Sequence, residues 1–181
     1  MPQKCAGSVV LLSGGMDSAT TLAIAADECP PARALTFDYG QRQRAELECA
    51  RRLARSLGAA EHRVLTIPLG EFGGSSLTQS DMDVPHGEED SEGTGIPNTY
   101  VPARNTIFLS YGLAWAEVTN SARLYIGVSC VDYSGYPDCR PEYVEAYQNL
   151  ANVATKRGVE GHPVELRAPL LHLDKSKVIR R

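Results

Sequence analysis

The sequence has little that would place the protein in a membrane or on a charged polymer. No apolar run approaches the length of a membrane-spanning helix, and no secretory signal precedes the first apolar segment. The 181 residues carry a net charge of −4, so there is no overall basic field to attract nucleic acid. We therefore expect a cytoplasmic protein that binds neither membranes nor nucleic acid.

The cysteines and histidines show none of the spacings that mark metal or disulfide sites. The five cysteines are scattered, odd in number and without a C-x-x-C pair, which argues against a disulfide framework and against a zinc site built from adjacent pairs. The four histidines also lack the spacing of metal ligands. Buried or idle thiols, and histidines with packing or surface roles, are the expectation.

The most informative stretch is Ser13–Ser18, with the sequence S-G-G-M-D-S. It follows the apolar run Ser8–Leu12, typical of a buried strand, and precedes Ala19–Ala26, typical of a helix. A glycine turn between strand and helix lets the backbone approach a phosphate, and the free N–H groups of the first helical turn point at it. The stretch therefore predicts an anion site, in which Asp17 either caps the helix or holds Mg²⁺.

This loop differs from the usual P-loop. The sequence contains no Gly-Lys pair, and the dinucleotide fingerprint G-x-G-x-x-G is also missing. The loop resembles instead the S-G-G-x-D-S loop of the PP-loop ATP pyrophosphatases, which cut ATP between its α and β phosphates. The resemblance implies that the loop holds the leaving pyrophosphate. The alternative is a glycine-serine turn that only joins a strand to a helix.

Strand-like apolar runs alternate with helix-like segments along the chain. This alternation predicts an α/β fold with a parallel sheet and helices on both faces. A long polar stretch at 70–98 predicts a functional or disordered loop within the one domain. Strands are expected at 8–12, 33–38, 62–67, 123–128 and 164–168, and helices at 19–26, 41–57, 106–118, 141–156 and 174–181.

Three informative loops follow the first, second and fourth predicted strands, where ligands of parallel sheets bind. They are Ser13–Ser18, Tyr39–Arg44 and Ser129–Arg140. In the second loop, Tyr39 can stack on a base and either Arg42 or Arg44 can contact phosphate, although a helix start with exposed arginines would look the same. Their convergence at one edge of the sheet predicts a single ligand site.

Two further segments carry polar side chains suited to a ligand. Two prolines stiffen the segment before Arg104 and Asn105. Arg104 suits a phosphate or carboxylate, and Asn105 suits a helix cap or a ligand edge. The segment Asp132–Arg140 combines carboxylates, phenols and a guanidinium that can recognise a planar heterocycle. A catalytic role for Cys139 is not favoured, because no nearby histidine obviously activates it.

Four segments together resemble the QueC family of the queuosine pathway, the 7-cyano-7-deazaguanine synthases. They occur in the family's order and cover nearly the whole chain; the first marks only the wider superfamily, and the last two are more specific. They are Leu12–Ser18, Phe37–Arg42, Gly95–Asn105 and Asp132–Arg140. The resemblance implies a single Rossmann-like catalytic domain of the adenine nucleotide α-hydrolase type over residues 1–181.

The resemblance also implies the reaction. An ATP-dependent ligase would convert 7-carboxy-7-deazaguanine and ammonia into 7-cyano-7-deazaguanine through an adenylated acid and an adenylated amide. ATP and Mg²⁺ are the implied cofactors, with Asp17 and Arg104 as catalytic residues and Asp17 as the Mg²⁺ ligand. The residues expected at ATP are Leu12, Ser13, Gly14, Gly15, Met16, Asp17, Ser18, Ala19, Thr20, Thr21, Leu22, Phe37, Tyr39 and Arg42, and those expected at the substrate are Arg104, Asn105, Asp132, Tyr133, Tyr136 and Asp138.

One family feature is missing from this sequence. The family carries four cysteines for a structural zinc near its C-terminus, and this chain stops before them, so Zn²⁺ is expected of the family while its ligands are not in this chain. The family also suggests a homodimer. Two other functions stay open, namely another PP-loop ATPase that modifies tRNA or forms an amide, and a non-catalytic nucleotide-binding module. A tRNA partner would favour a basic face, which is not evident.

Overall fold

The computed structural model describes residues 5–41, 45–73, 75, 96–129, 135–173 and 175–179. Within them, five parallel strands form one sheet. The strands are β1 (Ser8–Leu11), β2 (Ala32–Asp38), β3 (Glu61–Thr66), β4 (Arg123–Tyr125) and β5 (Glu165–Arg167). Across the sheet they lie in the order β3-β2-β1-β4-β5.

Helices connect these strands and cover the sheet. Those described are α1 (Met16–Glu28), α2 (Ala45–Ser56), α3 (Arg104–Val118), α4 (Pro141–Ala154), α5 (Lys156–Val159) and α6 (Lys175–Ile179). Two short 3₁₀ turns lie at Leu69–Phe72 and Pro137–Cys139. The second turn comes directly before α4 and contributes to the site described below.

The residues of β1 alternate between two apolar cores. Val9 and Leu11 pack on the side that includes Leu113 of α3, whereas Val10 packs on the other side with Leu22 of α1. Successive strand residues point to opposite faces, so an unbroken apolar run predicts a strand that is buried on both sides. β1 is the middle strand of the sheet. Burying each of its aliphatic side chains contributes about 1.5–3 kcal/mol to stability.

The direction of the chain through the sheet changes next to β1. From β1 the chain proceeds outward to β2 and β3 on one side, and β4 then pairs with the opposite edge of β1, with β5 beyond it. The connections leaving the carboxyl ends of β1 and β4 therefore diverge. Ligands of open parallel sheets bind in the crevice that such a reversal creates.

The expected α/β class, with a parallel sheet and helices on both faces, is confirmed. The fourth strand is shorter than expected, because it ends at Tyr125 rather than at residue 128. Ile126 and Val128 nevertheless remain buried in the core beside α3. An apolar run thus continued past the end of the strand, and the sequence alone did not distinguish core packing from strand pairing.

The helix expected at 141–156 is divided in two. α4 ends at Ala154 because Thr155 has an extended backbone, with φ −120° and ψ 154°. The Thr155 hydroxyl accepts a hydrogen bond from the backbone N–H of Gly158 at 3.0 Å, and so caps α5. A threonine that can cap a new helix start favours such a break within an otherwise helical pattern.

The cysteines differ in part from the expectation. Cys5 and Cys29 form a disulfide bond, so the expectation of idle thiols is wrong for these two residues. The bond links the segment before β1 to the end of α1. Cys49 and Cys139 form no disulfide bond, as expected, and Cys130 lies outside the described residues.

Some expectations concern parts of the chain that the structure does not describe. Of the polar stretch at 70–98, only residues 70–73, 75 and 96–98 are described, and the expected helix cap Asp174 also lies outside. In the part of the chain that is described, no helix is both long enough and apolar enough to cross a membrane.

Candidate nucleotide-binding site

A pocket of about 390 Å³ lies at the carboxyl ends of β1, β2 and β4, where the chain direction reverses. Its walls come from the loop after β1, the end of β2, the start of α3 and the segment after β4. The described lining includes Ser13, Gly15, Asp17, Ser18, Phe37, Tyr39, Gln41, Glu46, Arg104, Asn105, Phe108, Gly127, Ser129, Tyr136 and Cys139. The three loops expected to converge therefore do so, as far as they are described.

One end of the pocket is the serine-glycine loop, Ser13–Ser18. The Ser18 hydroxyl accepts hydrogen bonds from the backbone N–H of Ser13 at 3.2 Å and from its hydroxyl at 3.1 Å, and donates to the Gly15 carbonyl at 2.9 Å. Gly15 is the N-cap residue of α1 and supplies no side-chain cap. The helix start thus presents its dipole and backbone N–H groups beside two hydroxyls, an arrangement suited to phosphate.

Gly14 fits this loop for two reasons. Its φ of +96° lies in a region that residues with a Cβ rarely adopt. A Cβ on Gly14 would also collide with the Glu46 carbonyl oxygen and lie 3.0 Å from the Ala50 nitrogen. The loop is therefore pressed against the first turns of α2, and only glycine permits both the turn and this approach.

An aromatic wall forms the side of the pocket between β2 and α3. The rings of Phe37 and Phe108 are stacked, with centroids 4.1 Å apart and planes at 10°, and the ring of Tyr39 lies 5.5 Å from that of Phe108. Phe108 is one helical turn after Arg104, so both side chains lie on the same face of α3. An aromatic surface of this kind suits a planar heterocycle.

Arg104 is the first residue of α3 and lies against Tyr39 at the end of β2. Its Nη1 donates to the Tyr39 hydroxyl at 3.4 Å, and its guanidinium carbon is 5.7 Å from the centre of the Tyr39 ring. Among the described residues, no carboxylate is within 4.0 Å of this guanidinium. The positive charge therefore lies at the pocket and can pair with an anionic ligand.

Asn105 and the turn before α4 are joined by several hydrogen bonds. The Asn105 backbone N–H donates to Asp138 Oδ2 at 3.1 Å, and its Nδ2 donates to the Asp138 carbonyl at 3.1 Å and to Cys139 Sγ at 3.5 Å. Tyr136, in the same turn, shares a hydrogen bond of 2.7 Å between its hydroxyl and that of Thr99. These bonds attach the start of α3 to a segment more than 30 residues later.

Burial shifts the acid–base behaviour of three groups here. It raises the pKa of Tyr39, of the Glu46 carboxyl and of the Asp138 carboxyl, since each ionised form is poorly solvated. The positive charge of Arg104 opposes all three increases, and the Asn105 N–H opposes the increase in the pKa of Asp138. Arg104 is thus the common electrostatic partner of the site.

The structure brings many, but not all, of the expected residues to the pocket. Of the ATP set, those lining it are Leu12, Ser13, Gly15, Asp17, Ser18, Phe37 and Tyr39. Thr21 and Leu22 are fully buried in α1, and Leu22 belongs to the core. Of the substrate set, Arg104, Asn105 and Tyr136 line the pocket, whereas Asp138 is buried behind it. Arg42, Asp132 and Tyr133 lie outside the described residues.

Sequence reasoning missed several lining residues. Glu46 and Phe108 are on helices, and nothing in their local sequence marks them as ligand contacts. Gln41 fixes the backbone after β2, because its Oε1 accepts from the Tyr39 N–H at 2.9 Å and its Nε2 donates to the Phe37 carbonyl at 3.2 Å. Only the spacing of four residues from Arg104, which places Phe108 on the same face of the helix, could have pointed to Phe108.

The donor set fits Mg²⁺ bound together with a phosphate ligand, but not zinc. Asp17 lines the pocket beside the hydroxyls of Ser13 and Ser18. Mg²⁺ is commonly bound by one or two carboxylates together with substrate phosphates, which a single aspartate at a phosphate site can provide. Within the described ranges, no group of three or more His, Cys, Asp or Glu residues could hold a metal ion. The described residues thus offer no cage for a structural zinc.

The fold and the serine-glycine loop define the class of protein, an α/β nucleotide-binding domain of the PP-loop type. A solved NH3-dependent NAD synthetase from Campylobacter jejuni subsp. jejuni NCTC 11168, in complex with the nitrate ion, resembles this chain with a TM-score of 0.53 and 20% identity, over 99% of this chain and 63% of that chain. At this identity the likeness shows the fold alone.

Sequence comparison is more specific, because a family model described as "Queuosine biosynthesis protein QueC" matches residues 7–181. The chain belongs to this family. It is 58% identical to a 7-cyano-7-deazaguanine synthase from Azoarcus sp. (strain BH72), over 96% of this chain and 75% of that protein. It is 56% identical to a protein of the same name from Thiobacillus denitrificans (strain ATCC 25259 / T1), over 96% of this chain and 76% of that protein.

Proposed function

We propose that this chain is an ATP-dependent ligase that converts 7-carboxy-7-deazaguanine and ammonia into 7-cyano-7-deazaguanine in queuosine biosynthesis. Membership of the QueC family over residues 7–181 and the names of relatives more than 50% identical support this function. The observation that carries it is the pocket itself. One pocket joins the serine-glycine loop, suited to phosphates, to Arg104 and the aromatic wall, suited to an anionic planar substrate.

The first half of the reaction makes the carboxylate reactive. A carboxylate is a poor electrophile, so its oxygen attacks the α phosphorus of ATP, pyrophosphate leaves and an acyl adenylate forms. Ammonia then attacks the acyl carbon, AMP leaves with that oxygen, and the nitrogen loses a proton to give the amide. Positioning and charge neutralisation dominate steps of this kind.

The second half removes the remaining oxygen. The amide oxygen attacks the α phosphorus of a second ATP, and pyrophosphate leaves again. The adenylated amide then loses the two nitrogen-bound protons and AMP, which leaves the carbon–nitrogen triple bond. Each turnover therefore consumes two ATP and releases two AMP, and both oxygens of the original carboxylate depart in AMP.

The serine-glycine loop is proposed to hold the β and γ phosphates and then the leaving pyrophosphate. Its backbone N–H groups at the start of α1 and the hydroxyls of Ser13 and Ser18 would donate to these oxygens. Asp17 would hold Mg²⁺ together with phosphate oxygens, and the ion when bound supplies further charge neutralisation. No step is assigned to zinc.

Arg104 and the aromatic wall are proposed to form the other half of the site. Arg104 would pair with the substrate carboxylate or with the α phosphate, where negative charge develops. Tyr39 holds the guanidinium on the pocket side through the 3.4 Å hydrogen bond. The wall of Phe37 and Phe108 would stack on a heterocycle. Contacts of Asn105 and Tyr136 with the substrate, a homodimer and a cytoplasmic location stay predictions.

A product assay tests this function directly. The protein is incubated with ATP, Mg²⁺, an ammonium salt and 7-carboxy-7-deazaguanine, and AMP and nitrile are quantified by chromatography and mass spectrometry. We expect two AMP for each nitrile, and no AMP when the acid is left out. Parallel reactions with and without added zinc show whether that ion affects turnover.

Other outcomes support other functions. AMP formation that depends on tRNA rather than on the deazaguanine acid would contradict the proposal in favour of a tRNA-modifying PP-loop enzyme. Binding of ATP without turnover under all of these conditions would favour a nucleotide-binding module. One AMP per amide, with no nitrile, would restrict the chain to the first half of the reaction.

A further inference from the structure

We infer that Asp138 is a positioning residue, which acts on the reaction by fixing the start of α3 and hence Arg104, rather than by contacting the substrate. This inference rests on the proposed function. It differs from the sequence-based expectation for Asp138, which is direct recognition of the heterocycle, and the two roles predict different results for the same variants.

The first support is the hydrogen bonding at the start of α3. The N-cap residue of this helix is Ala103, which has no side chain able to accept a hydrogen bond, and no side-chain cap is present there. Asp138 Oδ2 accepts from the backbone N–H of Asn105 at 3.1 Å, in the first turn. The acid thus serves as a cap supplied from 33 residues further along the chain, and its charge also suits a helix N-terminus.

The second support is backbone strain next to Arg104. Ala103 has φ +54° and ψ +19°, the left-handed region, which costs a residue with a Cβ about 1–2 kcal/mol. Such a conformation persists only when surrounding contacts determine it. Two contacts do so here, because the Ala103 N–H donates to the Tyr100 hydroxyl at 2.9 Å and Asp138 holds Asn105 two residues later.

The third support is the position of Asp138 relative to the pocket. The residue is only 5% exposed, and among the described residues Asn105 and Cys139 line the pocket while Asp138 does not. The Asn105 amide returns a hydrogen bond to the Asp138 carbonyl at 3.1 Å, so the two residues hold one another. The acid therefore lies behind the wall that a ligand would touch.

The route from Asp138 to the reaction passes through Arg104. Arg104 directly precedes Asn105, and its guanidinium crosses to the Tyr39 hydroxyl at 3.4 Å. A shift of the first turn of α3 would move the guanidinium away from the position at which it neutralises charge. Misplacement of a catalytic group by about 1 Å can cost about 100-fold in rate.

Three variants of the full chain separate positioning from recognition. Asp138→Ala removes the hydrogen-bond acceptor, and we expect kcat/KM for adenylation of 7-carboxy-7-deazaguanine to fall about 10- to 100-fold. Asp138→Asn keeps an acceptor oxygen for the Asn105 N–H, and it should restore the rate to within about threefold of the parent. Glu142→Ala removes an exposed acid from the first turn of α4 and serves as the matched control, with no expected change.

A double-mutant cycle tests the route through Arg104. Because the acid acts through this arginine, Asp138→Ala should lower kcat/KM by less than about twofold when Arg104→Lys is already present. Hydrogen exchange gives a readout apart from activity: the Asn105 amide should exchange faster in Asp138→Ala, while the amides of α1 keep their protection. Where Asp138→Ala does not fold, Asp138→Ser takes its place in both experiments.

Either of two results would overturn the inference. If Asp138→Asn lowers kcat/KM as much as Asp138→Ala, the Asp138 carboxylate contacts the substrate directly. If Asp138→Ala is equally damaging with and without Arg104→Lys, the acid acts independently of the arginine. Failure of the proposed function is distinguishable from both, because the parent protein would then form no AMP with the deazaguanine acid at all.

Discussion

The two ends of the pocket are built in different ways. The serine-glycine loop is continuous in sequence, and its hydrogen bonds join residues at most five positions apart. The other end is assembled from segments that are distant in sequence, since Arg104 contacts Tyr39 across 65 residues and Asn105 contacts Asp138 across 33. One end is therefore specified by a local motif, and the other depends on correct folding of the whole domain.

This difference determines how each end can fail. A substitution in the loop would act directly on the proposed phosphate contacts. A substitution around Arg104 acts by moving a side chain that several elements hold in place. Glu46 lies where the two ends meet, because its carbonyl packs against Gly14 and its carboxylate is close enough to Arg104 for that charge to affect its pKa.

The largest effect should come from Gly14→Ala. An alanine here would have to adopt an unfavourable φ of +96°, and its Cβ would collide with the Glu46 carbonyl oxygen. The loop must therefore leave its position at the start of α1. We expect substrate-dependent release of pyrophosphate to fall by about 100-fold or more. A coupled pyrophosphate assay under saturating acid and ammonia measures this loss.

Gly58→Ala is the matched control for that prediction. Gly58 also has a positive φ, of +69°, but nothing lies within 4 Å of a Cβ placed there. It carries the same type of backbone strain with no collision and lies outside the pocket lining. Equal losses of activity in the two variants would mean that general destabilisation, rather than displacement of the loop, explains the effect of Gly14→Ala.

The second prediction concerns Glu46 and pH. Burial raises the pKa of this carboxyl above its usual value in the folded protein. Its contribution to stability is therefore fully present below the unfolded pKa, near 4.3, and is lost as the pH rises through the higher folded pKa. Glu46→Gln, which does not titrate, should be more stable than the parent at pH 7, by about 1 kcal/mol or less because Glu46 is only partly buried.

Urea unfolding at pH 4 and pH 7 measures this difference. The stability advantage of Glu46→Gln should shrink at pH 4, where the parent carboxyl is largely protonated. Glu48→Gln, in the same turn of α2 but exposed to solvent, is the control and should change stability by less than about 0.5 kcal/mol. An advantage that grows toward low pH would contradict the assigned direction of the pKa shift.

The smallest effect is expected at Ala103. Glycine adopts its left-handed φ of +54° without the penalty for a Cβ, so Ala103→Gly should stabilise the protein by about 0.5–1 kcal/mol after its own entropic cost. Asn120→Gly, at the other end of α3 with φ +51°, is the control and should change stability little, because asparagine tolerates this region. Thermal unfolding measures both variants, and equal shifts in Tm would contradict the backbone strain assigned to Ala103.

The local end of the site was predictable from sequence, and the distant end only in part. A strand, a glycine turn and a helix start are each encoded by neighbouring residues, so the sequence located the loop and its parallel sheet correctly. Arg104 and Asn105 were recognised as suited to a ligand, but their partners were not. The contact between Asn105 and Asp138 depends on how the turn before α4 packs against α3, which no short-range pattern encodes.

Other misses have the same physical origin. Glu46 and Phe108 are lining residues because α2 and α3 pack against the carboxyl ends of β1 and β2, and their helical positions alone do not reveal this. The bond between Cys5 and Cys29 joins two residues 24 apart that tertiary structure brings together. Leu22 shows the reverse error, because its proximity to the loop in sequence placed it at ATP while the helix turns it into the core.

The central claim is that the serine-glycine loop holds the phosphates of ATP in the pocket that also contains Arg104. A crystal structure with Mg²⁺ and an ATP analogue whose α–β bridge is a methylene group tests it most directly. We predict that the β and γ phosphate oxygens lie within hydrogen-bond distance of the Ser13 and Ser18 hydroxyls and of the first backbone N–H groups of α1. A nucleotide bound elsewhere, with the loop closed by its own side chains, would contradict it.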